Sequence, residues 1–334
     1  METLFIDRKG ARLSVDAGRL IIRLADEARP TSLPLKQIAL VAVSAQVEFS
    51  SSLLLALGRE GITMICLNPR KSQEWVFCNG FRHGAAGRRL AQFEIQQNGA
   101  VRLDLARLVV KAKLLAHYRA LCRHQARRKD CRYALVKAKK QLRECWKAVS
   151  VTQSIESLRG HEGAAAAAYF SALSSVITGG FEFTGRRRRP PPDPVNALMS
   201  LSYTLVHGEA LRALISSGLD PVFGYLHEVS YGRDSLACDF VEPLRAEIDT
   251  WLLDLLRDGV LRKTHFQELP SGACMLSKEG RKLYFPLFQY KNRRWRKRLR
   301  LSAQQLARYL DGYPALANAT DNKEVEDGSS LFDD

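Results

Sequence analysis

Along the first ninety residues the apolar positions fall in short runs bounded by turn residues, a pattern of strands rather than helices. Thr3 to Ile6, Arg12 to Val15, Arg19 to Leu24 and Gln37 to Val43 read as strands, separated by Gly10, Gly18 and a turn from Pro30 to Pro34. Ser50, Ser51 and Ser52 offer a cap to Leu53, Leu54, Leu55 and Leu57, which predicts a short helix ending at Gly58 or Gly61. Ile62 to Leu67 then reads as a buried strand and Trp75 to Cys78 as another.

From about Gly87 the period changes. Apolar residues recur at helical spacing through Leu90, Phe93, Leu103, Leu108, Leu115, Leu121, Leu135 and Leu142, with basic residues on the other faces. Helices are predicted to about Tyr313. Gly179 to Pro194 interrupts them with glycines, prolines and the run Arg186 to Arg189, so this segment must be loop, and a second helical block starts at Asn196. The predicted fold class is α+β: a β-rich domain over residues 1–88, then a larger all-α C-terminal domain over 89–313. Residues 314–334 form an acidic tail, with six acidic residues and one lysine from Asp321 to Asp334, and are expected to be disordered. The chain shows no internal repeat.

Composition narrows the partner. Hydrophobic residues make up 46% and charged residues 26%, the values of an ordinary globular protein. Lys and Arg number 51 against 35 Asp and Glu, a formal charge of +16 that favours nucleic acid or an anionic surface. The excess is concentrated: Val101 to Ser150 holds fifteen basic residues against Asp104, Asp130 and Glu144. The seven cysteines form no C-x-x-C pair, which points to reduced thiols rather than a zinc or redox site. Met1 to Ile6 has no basic region leading into an apolar core, and no stretch approaches the roughly 18 apolar residues of a membrane span, so no membrane association is expected and the expected location is the cytoplasm.

Candidate chemistry lies in three stretches that mix polar groups with glycine or proline. Glu162 stands at the start of the Ala164 to Ala168 run, where it either caps a helix or binds something. His227 follows the apolar Val222 to Leu226 and is either a core histidine bonded to a carbonyl or a ligand. Asp239 and Glu242 are spaced to share one face of a helix capped by Ser235, where they either hold a cation together or pair with Arg233 and Arg245. Two carboxylates and an imidazole form an oxygen-rich set that suits Mg2+ or Mn2+ better than structural zinc.

The strings that carry these residues are Leu158-Arg-Gly-His-Glu-Gly163 running on to Tyr169-Phe170, Arg187-Arg-Arg-Pro-Pro-Pro-Asp-Pro-Val-Asn-Ala-Leu198, and Gly218-Leu-Asp-Pro to His227 and on through Asp239, Glu242, Pro243 and Arg245. In this order they closely resemble the large integrase and endonuclease subunit of the CRISPR spacer-acquisition complex, and the likeness covers about residues 1–313. The resemblance implies that Glu162, His227 and Glu242 ligate a catalytic Mg2+ or Mn2+, that Asp239 is an acidic neighbour supporting them, and that the helical domain is the catalytic one. It further implies a homodimer joined through the β-rich half and bridged by a dimer of a small companion subunit. The activity implied is insertion of short duplex DNA into CRISPR repeat DNA by 3′-hydroxyl transesterification. Arg186, Arg187, Arg188, Arg189, Arg245, Arg293 and Arg294 are the candidate DNA contacts, with Trp146 and Trp295 as aromatics that pack against DNA or else belong to solvated helix surface. The competing reading is a DNA-binding scaffold with a degenerate metal site.

Overall fold

The computed structural model describes residues 2–68, 75–78, 80, 86–177, 180–187 and 190–313. The expected acidic tail, and with it Arg188 and Arg189, falls outside the described residues. The first part of the chain runs β1 (Glu2–Ile6), β2 (Arg12–Asp16), β3 (Arg19–Arg23), β4 (Thr31–Pro34), β5 (Ile38–Val43), β6 (Glu48–Phe49), α1 (Ser51–Glu60), β7 (Thr63–Leu67) and β8 (Trp75–Cys78). One sheet has the order β1-β5-β7-β8, parallel except at β8, and a second has the order β4-β3-β2-β6.

Local chemistry explains most of these elements. All six residues of β5 are buried, as expected for an unbroken apolar run in the middle of a mainly parallel sheet. Ala17 and Gly18 both take positive φ, at 43° and 72°, which makes the tight connection between the antiparallel β2 and β3. Helix α1 stops at Gly61, whose left-handed φ of 67° lets the next amide, of Ile62, return to the Leu57 carbonyl. The expected turn from Pro30 to Pro34 is corrected: Thr31–Pro34 is strand β4, antiparallel to β3. As an edge strand it tolerates a proline that a central strand would not.

The remainder is α2 (Ala86–Gln97), α3 (Gly99–Arg127), α4 (Arg132–Val151), α5 (Ile155–Val176), α6 (Pro194–Ser216), α7 (Ser235–Val241), α8 (Arg245–Arg257), β9 (Phe266–Glu268), β10 (Cys274–Leu276) and α9 (Lys278–Asp311). The fold is α+β, strand-rich first and helical afterwards, with one departure from an all-α second part. Strands β9 and β10 form a hairpin of three residues a side, too short to show a period in sequence.

The first sheet is covered on both faces. On one side Leu13, Leu20, Leu53, Val41 and Met64 form a core with the second sheet and α1. On the other, Ala42, Phe5, Leu67, Trp75 and Phe77 join the helical core, and Phe5 stacks on Phe285 of α9 at 4.3 Å between ring centroids. The helical stripe differs in detail from its expected form. Leu103, Leu121, Leu135 and Leu142 are buried, whereas Leu90, Phe93, Leu108 and Leu115 are exposed. The inner face of α3 instead carries Lys113, His117 and His124 among its apolar residues. Trp295 is fully buried beside Trp251 and is core rather than a DNA-facing aromatic, while Trp146 remains partly exposed on α4. No helix among the described residues is long and apolar enough to cross a membrane.

Candidate active site

Helix α5 begins where Ser154 Oγ accepts the Ser157 amide at 3.1 Å, so Glu162 lies two turns inside the helix and caps nothing. Its side chain is 21% exposed. Gly160 and Gly163 lie on other faces of the same helix, where a Cβ would meet nothing within 4 Å. Arg159 of the same motif donates to the Leu226 carbonyl at 2.8 Å and to Glu228 at 2.9 Å, tying α5 to the loop that bears His227.

That loop is shaped by its glycines and by α7. A Cβ on Gly224 would sit 2.6 Å from the Ser235 carbonyl carbon, so only glycine lets the loop lie against the start of α7. The Leu236 amide donates to the Pro221 carbonyl across this contact at 2.8 Å. From inside α7, Asp239 accepts the amides of Tyr225, Leu226 and His227 at 2.6, 3.0 and 3.1 Å. The same carboxylate lies 2.6 Å from His227 Nδ1. A carboxylate only accepts, so Nδ1 carries the proton and Nε2 presents its lone pair on the far side of the ring. Asp239 therefore aims the imidazole, with both of its oxygens engaged by the His227 loop.

Pro243 cannot continue α7, and Glu242–Leu244 forms a 3-10 turn that places Glu242 inward, 3% exposed. His227 Nε2 faces its Oε1 at 3.9 Å. Burial alone would raise the Glu242 carboxyl, but Arg245 and then Lys113 hold it well below the usual carboxylate range. Arg245 Nε donates to Oε1 at 2.9 Å. Oε2 is 2.5 Å from Lys113 Nζ, and the same ammonium donates to Glu162.

Behind these groups lies a buried polar layer. Arg245, expected at a DNA surface, turns inward and lies 4.4 Å over the Tyr203 ring. The Tyr203 and Tyr169 hydroxyls both donate to Asp249, whose carboxyl burial pushes up to about 6. Tyr169 stacks on His117 at 4.0 Å with the rings nearly parallel, and burial followed by the Lys113 charge lowers that imidazole to about 3.

The second motif is a clamp. Asp193 caps α6 by accepting the Asn196 amide at 2.8 Å, and Asn196 Nδ2 donates to Asp193 and to the Gly185 carbonyl. Asn196 Oδ1 accepts from Arg186 and from the Arg187 amide. Arg186 is thus held in the loop, 5.5 Å over Tyr203, and Arg187 is exposed. Arg293 and Arg294 are exposed on α9, the latter with Nε 3.5 Å from Glu247. Lys113, Tyr203 and Asp249 were missed in sequence, although a lysine and a histidine one turn apart on the inner face of α3 mark an otherwise apolar stripe.

Lys113 thus bridges Glu162 and Glu242, and His227 Nε2 lies 3.9 Å from Glu242. Among the described residues no three His, Cys, Asp or Glu side chains stand close enough together to hold a metal ion as they are placed. The donor set is nevertheless of the kind a hard divalent cation takes, two carboxylates that share one ammonium and an imidazole whose Nδ1 is engaged by Asp239.

A family model described as "CRISPR associated protein Cas1" matches residues 4–290. A "CRISPR-associated endonuclease Cas1 1" from Thermodesulfovibrio yellowstonii is 35% identical over 291 residues, covering 86% of this chain and 91% of the relative. Among solved structures, a casposase bound to integration product superposes with a TM-score of 0.79 at 20% identity, covering 93% of this chain and 90% of that one. The chain of a Cas6-RT-Cas1–Cas2 complex gives the same TM-score at 20% identity over 93% of this chain and 35% of that one. With residues 4–290 matched by the family model and most of its length shared with this relative, the chain belongs to the Cas1 family of CRISPR-associated proteins.

Proposed function

We propose that this chain is a CRISPR spacer-integrating endonuclease that depends on Mg2+ or Mn2+, held by Glu162, His227 and Glu242. The endonuclease and integrase reading draws on the family and on the relatives' names. The observation that carries the metal reading is the buried Glu242, kept anionic and turned toward His227 Nε2, with Glu162 reached through the same ammonium. A bound divalent cation would supply charge stabilisation at the phosphodiester and activation of the attacking oxygen, a 3′-hydroxyl in joining or water in cutting.

The chain's own residues do the rest. Asp239 fixes the tautomer and direction of His227, so that Nε2 is a ligand atom rather than a proton donor. Arg245 keeps Glu242 charged and, locked over Tyr203, holds it still. The exposed part of the Glu162 side chain gives the DNA backbone access to it. The exposed Arg187, Arg293 and Arg294, with the basic α3 and α4, supply sequence-independent contacts to phosphates. The working unit in this reading is a homodimer in the cytoplasm with a small companion subunit. The solved chain from a Cas1–Cas2 complex supports such a companion.

One observation favours the degenerate scaffold: the Lys113 ammonium sits between the two glutamates and balances one of their two charges. The two readings separate in one assay, joining of a labelled short duplex to a supercoiled repeat-bearing plasmid, with the companion subunit and either Mn2+ or EDTA. Joining that needs Mn2+ and is lost in His227→Ala is expected. DNA binding without joining in the wild type would move the assignment to a scaffold.

A further inference from the structure

Most lysines of the basic α3 and α4 point outward, but Lys113 is 10% exposed and directed between Glu162 and Glu242. It is one of two cations on Glu242, and the two are built differently. Arg245 is immobilised, its guanidinium bonded to Oε1 and stacked over Tyr203. Lys113 is a single point charge on a flexible four-carbon stem, and its ammonium is shared between Glu162, to which it donates, and Glu242. One cation is fixed and the other can leave. The position it occupies, between two carboxylates and near an imidazole whose lone pair is free, is the one a divalent cation would take. An ammonium and a divalent ion at contact distance repel too strongly to share it.

We infer that Lys113 is a built-in counter-cation that holds Glu162 and Glu242 in place before a divalent ion binds, yields its position to that ion, and then moves onto a non-bridging phosphate oxygen of the DNA. This rests on the metal reading above and makes Lys113 a further catalytic residue of that site. Without such a charge the two carboxylates would repel one another, so the site would be open and disordered until metal arrived. With it, the site is preformed, at the expense of weaker metal binding. Once displaced, the ammonium remains on the stem of a buried residue beside Glu162, whose side chain is 21% exposed, so that the nearest new anion is a DNA backbone laid against that carboxylate.

The test is Mn2+ binding to the full-length protein without DNA, followed by the paramagnetic resonance of free Mn2+, for wild type and Lys113→Met. Removing the competing charge should tighten Mn2+ binding by about tenfold or more. At saturating Mn2+ the same variant should join DNA on the order of a hundredfold more slowly. A second measurement uses only the wild type: amine labelling of Lys113, read by mass spectrometry, should rise severalfold when Mn2+ is added and fall again with duplex DNA. It stays decisive even if Lys113→Met does not fold. Wild-type Mn2+ binding with an unchanged midpoint in the variant, or with labelling indifferent to Mn2+, overturns the role of Lys113 and leaves the metal site standing. A wild type that binds no Mn2+ overturns both.

Discussion

Two buried glutamates sit in this molecule under different rules. Glu209, on α6, is fully buried and its charge is closed off: Oε1 accepts from Thr3 Oγ1 at 3.1 Å, Asn292 Nδ2 at 2.9 Å and Arg296 Nε at 3.1 Å, while Oε2 accepts from Arg212 at 3.1 Å. These donors come from β1, α6 and α9, so one carboxylate joins the strand-rich part to the helical part. Burial would raise its pKa, but Arg296 and Arg212 keep it below the ordinary value. Glu242 is also buried and anionic, yet one of its two cations is a flexible lysine shared with Glu162, so its set of fixed partners is incomplete. A buried charge whose partners are complete serves the fold, and one whose partners are incomplete is poised for a ligand.

Substitutions should separate the two roles. Glu162→Ala, which opens the incomplete site, should lower strand joining by about a thousandfold or more while DNA affinity stays nearly unchanged, as measured by plasmid integration and by gel shift. A Glu162→Ala protein that integrated normally would remove the site from consideration. Glu209→Ala strands Arg296 and Arg212 in the interior, and should destabilise the fold by roughly 3–5 kcal/mol in chemical denaturation. If Glu209→Ala melted like the wild type, the contrast between closed and open carboxylates would fail.

Asp249 offers a sharper view of the layer behind the site. Its carboxyl is raised from 3.8 to about 6 by burial, against the opposing hydrogen bonds from Tyr203 and Tyr169. The folded state therefore binds a proton that the unfolded chain has already released. Stability from this group is complete below about pH 3.8 and is lost as pH rises through about 6. The loss corresponds to about 3 kcal/mol. Other carboxylates titrate in the same range, so the useful quantity is the stability of wild type minus that of Asp249→Asn. It should fall between pH 4 and 7, and a flat difference would mean that the carboxyl ionises as freely in the fold as outside it.

The strand-rich half was largely legible in the sequence because its buried strands are short apolar runs bounded by polar or turn residues, β5 between Gln37 and Ser44 and β7 shortly after Gly61. Strand β4 was hidden by its prolines and the β9–β10 hairpin by its length. The site divides similarly. Glu162, His227 and Glu242 lie in motifs rich in glycine and proline, whose unusual local geometry leaves a mark in the sequence. Lys113, Tyr203 and Asp249 lie inside long helices where any polar residue resembles solvated surface, and only the packing of α3, α6 and α8 turns them inward. Arg245 was misplaced for the same reason: helical spacing gives a direction only after the helix has been docked.

The smallest expected effect tests what aims the site. Asp239 receives three backbone amides and the Nδ1 proton of His227, four donors on two acceptor oxygens. Asn in its place keeps the shape but turns one oxygen into an NH2 group, which must face a donor whichever way the amide is flipped. If it faces Nδ1, the imidazole is driven to the other tautomer and Nε2 becomes a donor pointed at Glu242 instead of a lone pair. If it faces the loop, the amides of Tyr225 and Leu226 lose their acceptor and the loop relaxes. Either way the ligand atom is misdirected while Glu162, Glu242 and the basic surface remain. Asp239→Asn should therefore weaken Mn2+ binding and joining by about 10–100-fold. Excess Mn2+ should restore part of the joining, and DNA affinity should stay as in the wild type. A variant that bound Mn2+ as tightly as the wild type would show that His227 is aimed by the loop backbone alone, and that the carboxylate beneath it belongs with Glu209 among the groups that serve the fold.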